Sequence, residues 1–196
     1  MGVTTFSGPV RVGRTNPREV VTSRKMAGES THTGMNGAAE VFVTQRNELE
    51  SDFDDASSIV VSQIMVDLTG LASSANGDII GNPSGGVAYL TQVTTSDQGT
   101  IFGVTMECFE DPASGSATIG LHSASENTGT EDDPISGLTS DVCITAVAQS
   151  VGVRKANDTG KTALATKYLY LVSGASGNAT YTAGRLLITI YGSRNG

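Results

Sequence analysis

The run SIVVSQIMVDLTG, residues 58–70, decides the fold class. It is the most apolar stretch of the chain, with Ile59, Val61, Ile64, Val66 and Leu68 set among polar residues. Val and Ile are stiff at χ1 and suit a pleated, half-buried surface better than a helix. A helix that crosses a bilayer needs about 18 or more consecutive apolar residues, and this run falls short, so no membrane partner is expected. It reads as a strand.

Similar runs lie on either side of it. AEVFVTQ (39–45) precedes it, and VAYLTQVTT (87–95), TIFGVTMECF (100–109) and ATIGLHS (117–123) follow. DVCITAVAQSV (141–151), KYLYLVSG (167–174), ATYTAG (179–184) and RLLITIYG (185–192) complete the series. The separators SSANGDIIGNPSGG, SDQG, EDPASGS, SENTGTEDDPISG and RKANDTGK are clusters of turn-forming residues. Eight or nine short strands at this spacing make an all-β domain, a β-sandwich or jelly roll. A mixed α+β domain is the alternative, since QRNELESDFDDASS (45–58) has room for a helical turn. In the last third, Tyr168, Tyr170, Leu187, Ile188, Ile190 and Tyr191 are expected to supply much of the core. A domain spanning residues 38–196 buries roughly 70% of its unfolded surface and needs no metal or disulfide to hold it. Cys108 and Cys143 both fall in strand-like runs, where a buried free thiol is the expected state.

Residues 1–37 differ in texture. Pro9, Pro17 and several glycines interrupt any regular element, and only TFSGPVRV (5–12) has strand character. This stretch reads as an extended N-terminal arm that orders against something else. Fully extended, such an arm reaches about 120 Å.

Charge is distributed in three blocks. Residues 1–46 carry six Arg or Lys against three Glu, and residues 154–196 carry six against one Asp. The 107 residues between them carry sixteen Asp or Glu and neither Lys nor Arg. Acidic loops keep a protein poor in aromatics dispersed in water. The segregation also fits complementarity between copies, a basic arm meeting an acidic body. Phe6, Arg11, Arg14, Arg18, Arg24 and Lys25 are then the candidate partner contacts. No nucleic-acid partner is expected, because the arm lacks interleaved aromatics and the body repels phosphate.

No catalytic constellation stands out, and we expect no enzyme. His32 sits in the arm and His122 at a Ser-rich strand end, with no nucleophile-elbow motif nearby. The triplet Gly160, Lys161, Thr162 matches the end of a phosphate loop, but Lys155 stands where that loop needs its first glycine. The acidic clusters at Asp52, Asp54 and Asp55, at Glu107, Glu110 and Asp111, and at Glu131, Asp132 and Asp133 lack the spacing of a calcium loop. No cofactor or metal is expected.

Two segments resemble a known class. The start TFSGPVRVG (5–13) and the ending YTAGRLLITIYGS (181–193), joined by a Gly/Ser/Thr-rich β-body, resemble virion structural proteins of tailed bacteriophages, in particular capsid decoration, or cement, proteins. The resemblance implies a homotrimer on the capsid exterior whose arms clasp the major capsid protein. It implies no catalytic residue. A tail or fibre component and a lectin-like sandwich are the alternatives; surface aromatics, a coiled-coil stalk or a carboxylate-lined cleft would mark them.

Overall fold

A computed structural model describes residues 22–27, 41–47, 58–157, 164, 166–176 and 179–194. Nine strands run through them. They are β1 (Thr22–Ala27), β2 (Val41–Asn47), β3 (Ser58–Asp67), β4 (Thr100–Ala113), β5 (Thr118–Ala124), β6 (Ser140–Ala148), β7 (Arg154–Ala156), β8 (Tyr168–Ser173) and β9 (Ala183–Arg194). All pair antiparallel, in a large sheet of order β1-β2-β3-β9-β4-β7 and a small sheet of order β6-β5-β8. One helical turn, α1 (Thr95–Gln98), and one 3-10 turn (Ile135–Gly137) complete the elements. The protein is an all-β sandwich.

The core lies between the two sheets. From the large sheet, Ile64, Val66, Leu68, Val104, Met106, Leu186, Ile188 and Ile190 point into it; from the small sheet come Ile119, Leu121, Leu169 and Leu171. In β3 the buried face is Val60, Ser62, Ile64 and Val66, and Leu68 continues it just past the strand. Ile59 and Val61 therefore stand half-buried on the opposite face, because side chains alternate with period two and these two are out of phase with Ile64. Of the six residues expected to weight the last third of the core, Tyr170, Ile188 and Ile190 are buried, whereas Tyr168, Leu187 and Tyr191 are half-buried.

The small sheet is covered on both sides. In β8, Leu169 and Leu171 face the main core, while Tyr170 and Val172 join a second cluster with Ile79, Ala88, Ala124 and Ile135. Burial on both faces explains why YLYLV reads as a continuous apolar run rather than an alternating one. The stretch 87–95 is not a regular strand. It still lies beside β8: the Leu90 N–H donates to the Leu169 carbonyl at 2.7 Å, and the Val93 N–H to that of Lys167 at 2.8 Å. Only the isolated bridge Gln92↔Tyr168 forms between them. Likewise ATYTAG is no separate strand. Tyr181 is buried and its hydroxyl donates to the Ser116 carbonyl at 2.8 Å, and Ala183 and Gly184 already belong to β9. RKA, expected within a turn, forms β7. Residues 48–57 and 158–163, where a helical turn and a hairpin turn are expected, lie outside the described residues.

Two local devices shape the large sheet. Register shifts in β4 between Ile101 and Gly103 and between Cys108 and Glu110 leave Phe102 and Phe109 unpaired. Both rings are half exposed, the re-aiming of a side chain that a bulge produces. At the end of β9, a Cβ on Gly192 would run into the Gln98 carbonyl, so glycine lets α1 lie directly on the strand. Thr94 caps that turn by accepting from the Asp97 N–H at 3.1 Å.

Ile188 is fully buried on the central strand of the large sheet. Ile188→Ala is expected to cost about 2–5 kcal/mol in denaturant unfolding. Gln63→Ala, on an exposed position of the neighbouring strand, should stay within about 0.5 kcal/mol.

Candidate assembly surface

Phe6, Arg11, Arg14 and Arg18 lie outside the described residues, as does His32. Arg24 and Lys25 do not fall in a linker. They sit on β1, opposite Val43 and Phe42 of β2, at the outer edge of the large sheet. The arm region therefore contributes a strand. Its sequence, TSRKMA, has no period-two apolar pattern to betray it. Charged residues on an edge strand are a common guard against sheet-to-sheet pairing.

Several acidic residues among the described residues serve as ties. Arg185 on β9 bridges Asp67 on β3 and Glu110 on β4, each at 3.4 Å. Burial pushes the Asp67 carboxyl up, but hydrogen bonding from Thr69 and the charge of Arg185 outweigh it and hold it below the usual range. The Asp111 carboxylate accepts from the Val151 N–H at 2.6 Å. In the loop before the 3-10 turn, Asp133 accepts from the hydroxyl and the N–H of Thr130, and Asp132 from the Ser74 hydroxyl; in the turn that bridges to Pro134, Asp78 accepts from the Ala75 N–H. Glu131 sits among these carboxylates. Desolvation first, then the charge of Asp132, pushes it up to about 7. Asp52, Asp54 and Asp55 lie outside the described residues.

Other titratable groups are sealed in. The Nδ1 atom of His122 is buried without a hydrogen-bond partner, and desolvation lowers its pKa. Cys108 and Cys143 are buried and free. Burial pushes the Cys143 thiol up to about 11, which keeps it protonated and poorly nucleophilic at neutral pH. Among the described residues, no group of three or more His, Cys, Asp or Glu is arranged to hold a metal ion.

One further feature is an edge. Among the described residues, β6 pairs with β5 alone and β7 with β4 alone. Between them runs a groove of about 550 Å³, lined by residues 142–147 of β6 and by Lys155, Ala156 and Asn157. Two register shifts against β5 bend β6. Gly120 makes this possible, since a Cβ there would stand 2.9 Å from the Ala146 nitrogen and 3.0 Å from the Ile144 carbonyl oxygen. Val142 at one end of the groove is 52% exposed. The sequence holds a signal for this edge: Asp141 is the only charged residue between positions 140 and 151.

Comparison of the chain with protein-family models, with curated proteins and with solved structures finds no match in any of the three.

The folded state raises the Glu131 pKa, so it holds that proton more tightly than the unfolded chain does. Folding is penalised once the carboxyl ionises, and the penalty grows as pH rises from about 4.5 towards 7. Glu131→Gln should therefore raise the melting temperature at pH 8 and leave it nearly unchanged at pH 4, in thermal melts at the two pH values. A lower melting temperature at pH 8 would contradict the assignment.

Proposed function

We propose that this chain is a virion structural protein, a capsid decoration protein of the cement kind, which clamps neighbouring subunits through its basic N-terminal arm. The observation that carries this reading is the division of labour along the chain. A basic arm, part of which forms the edge strand β1, leads into a sandwich whose long middle stretch has no Lys or Arg. The start and end motifs support the same reading through their resemblance to phage virion proteins.

The physical logic is multivalency. Each arm that engages a neighbour turns the next contact into an intramolecular one, so modest contacts add to a firm clamp. A segment that orders on binding spends entropy but covers a large surface. The reading places the chain as a homotrimer on the outside of the head, with the major capsid protein as its partner and no chemical step of its own.

Because β1 belongs to the sheet, the informative truncation removes residues 1–21 and spares it. Purified heads lacking this protein should bind the full chain, and binding should fall by an order of magnitude or more for the shortened one, measured by co-sedimentation. Unchanged binding would sink the proposal. Binding of the full chain should also weaken between low and high salt, since exposed charges more than about 10 Å apart are screened at 0.1 M. Salt-independent binding would transfer the role from the arginines to Phe6, Val10 and Val12.

A further inference from the structure

We propose that residues 125–139, the connection from β5 to β6, form a strap that a proton on Glu131 fastens to the back of the small sheet and that loosens as this carboxyl ionises. The device does not depend on the clamp reading.

The connection leaves β5 after Ala124 and enters β6 at Ser140, and these two residues pair with each other. Its base is closed. The Ser125 N–H donates to the Thr139 carbonyl at 3.1 Å, and the Thr139 N–H to the Glu126 carboxylate at 2.9 Å. A loop whose ends meet in this way can lift as one unit. Backbone hydrogen bonds lay it on the segment 77–88. The Asp132 N–H donates to the Ile79 carbonyl at 3.2 Å and the Ile79 N–H to that of Asp133 at 2.9 Å. The Ile135 N–H donates to the Gly77 carbonyl at 2.9 Å, and the Ala88 N–H to that of Gly129 at 2.8 Å. Apolar cover is slight. Ile135 joins the second buried cluster and Leu138 packs against it, while Asp132, Asp133, Pro134, Ser136 and Gly137 are exposed. Few buried apolar contacts and solvent-exposed backbone bonds mark an element that opens before the core does.

The seam beneath the strap gathers carboxyl groups. Asp78 lies on the underlying segment, and Glu131, Asp132 and Asp133 lie on the strap. Asp78, Asp132 and Asp133 accept from neutral donors, the Ala75 N–H, the Ser74 hydroxyl and Thr130. Glu131 differs. A Cβ built on Gly81 would stand 2.9 Å from the Cβ of Glu131, so this residue seats directly over the underlying segment. Its carboxyl shares a hydrogen bond with Asp132. Two carboxyl groups can share a hydrogen bond only while one carries a proton. Desolvation and the charges of Asp132 and Asp78 favour that proton. Residues 47–153 hold neither Lys nor Arg, so neither the strap nor the segment under it supplies a cation. Lys167 lies at the base of the strap, against Ser125 and Glu126. Tyr89, next to Ala88, turns its ring to Tyr168 and Tyr170, and the Tyr170 hydroxyl donates to the Glu126 carbonyl. Ionised, Glu131 loses the shared proton and repels Asp132 and Asp78 across the seam; lifting the strap lets water reach it. The attached carboxyl keeps its proton to about pH 7, against an ordinary value of 4.5. The open fraction of the strap therefore rises about ten-fold between pH 6 and pH 8.

The test is amide hydrogen exchange on the full-length chain at pH 6 and pH 8, with rates divided by the intrinsic exchange rate at each pH. Four amides report the strap: those of Asp132 and Ile135 on it, and those of Ile79 and Ala88 beneath it. Their protection should fall about ten-fold from pH 6 to pH 8. The Gly152 amide, bonded to the Cys108 carbonyl far along the chain from the strap, should keep its protection. At both pH values the strap amides should be less protected than that of Ile188 on the central strand, since the strap opens without the core. In Glu131→Gln the strap amides should stay equally protected at the two pH values. The proposal is overturned if the parent chain shows equal protection at pH 6 and pH 8, or if Glu131→Gln shows the same fall. It is also overturned if the strap amides are as protected as Ile188, because the strap then opens only with the whole domain. Melting curves check that the variant folds, and the parent chain's own comparison decides the matter without it.

Discussion

Everything in this molecule hangs on strand β9. It pairs with β3 from Ser58 to Asp67 and with β4 from Thr100 to Ala113, and so sits at the centre of the large sheet. Leu186, Ile188 and Ile190 face the small sheet, while Arg185 on the other face ties Asp67 to Glu110. Side-chain direction alternates strictly in a strand, so a slip of one residue would move all three apolar groups to solvent and Arg185 into the core. That register holds the order of the remaining strands. The small sheet then docks on the inner face, and the irregular segment beside β8 seals its back through Ile79, Ala88 and Tyr170.

A sandwich built this way has exposed rims, and the rims differ. β7 is cut short and basic, β1 is charged, and β6 is long and almost uncharged. The charge blocks in the sequence map onto the same division. Among the described residues, acidic side chains of the middle stretch tie loops at Asp78, Asp111 and Asp133, a local structural use. In the proposed function, the use of the basic arm is assembly.

The all-β class was legible because period-two apolar runs bounded by turn residues are a strong local signal. β3, β5, β6, β8 and β9 fall close to their expected positions for this reason. Face assignment was less legible: Ile59 and Val61 belong to the run that marks β3 yet point away from the core, because apolar residues occupy both parities there. Residues 87–95 have strand composition but take their hydrogen bonds irregularly from β8, a tertiary outcome that no local pattern encodes. β1 and β7 were missed because short, charged edge strands look like loops. The groove was missed for another reason: it arises where two strands far from each other's partners leave their flanks open, and only topology shows that.

Amide hydrogen exchange on the assembled and the dissociated full-length protein tests the central claim most directly. The account predicts that the arm, residues 5–12 included, gains protection on assembly, while the core amides of β9 stay protected in both states. An arm that exchanges equally fast in the assembled and the dissociated protein would contradict it.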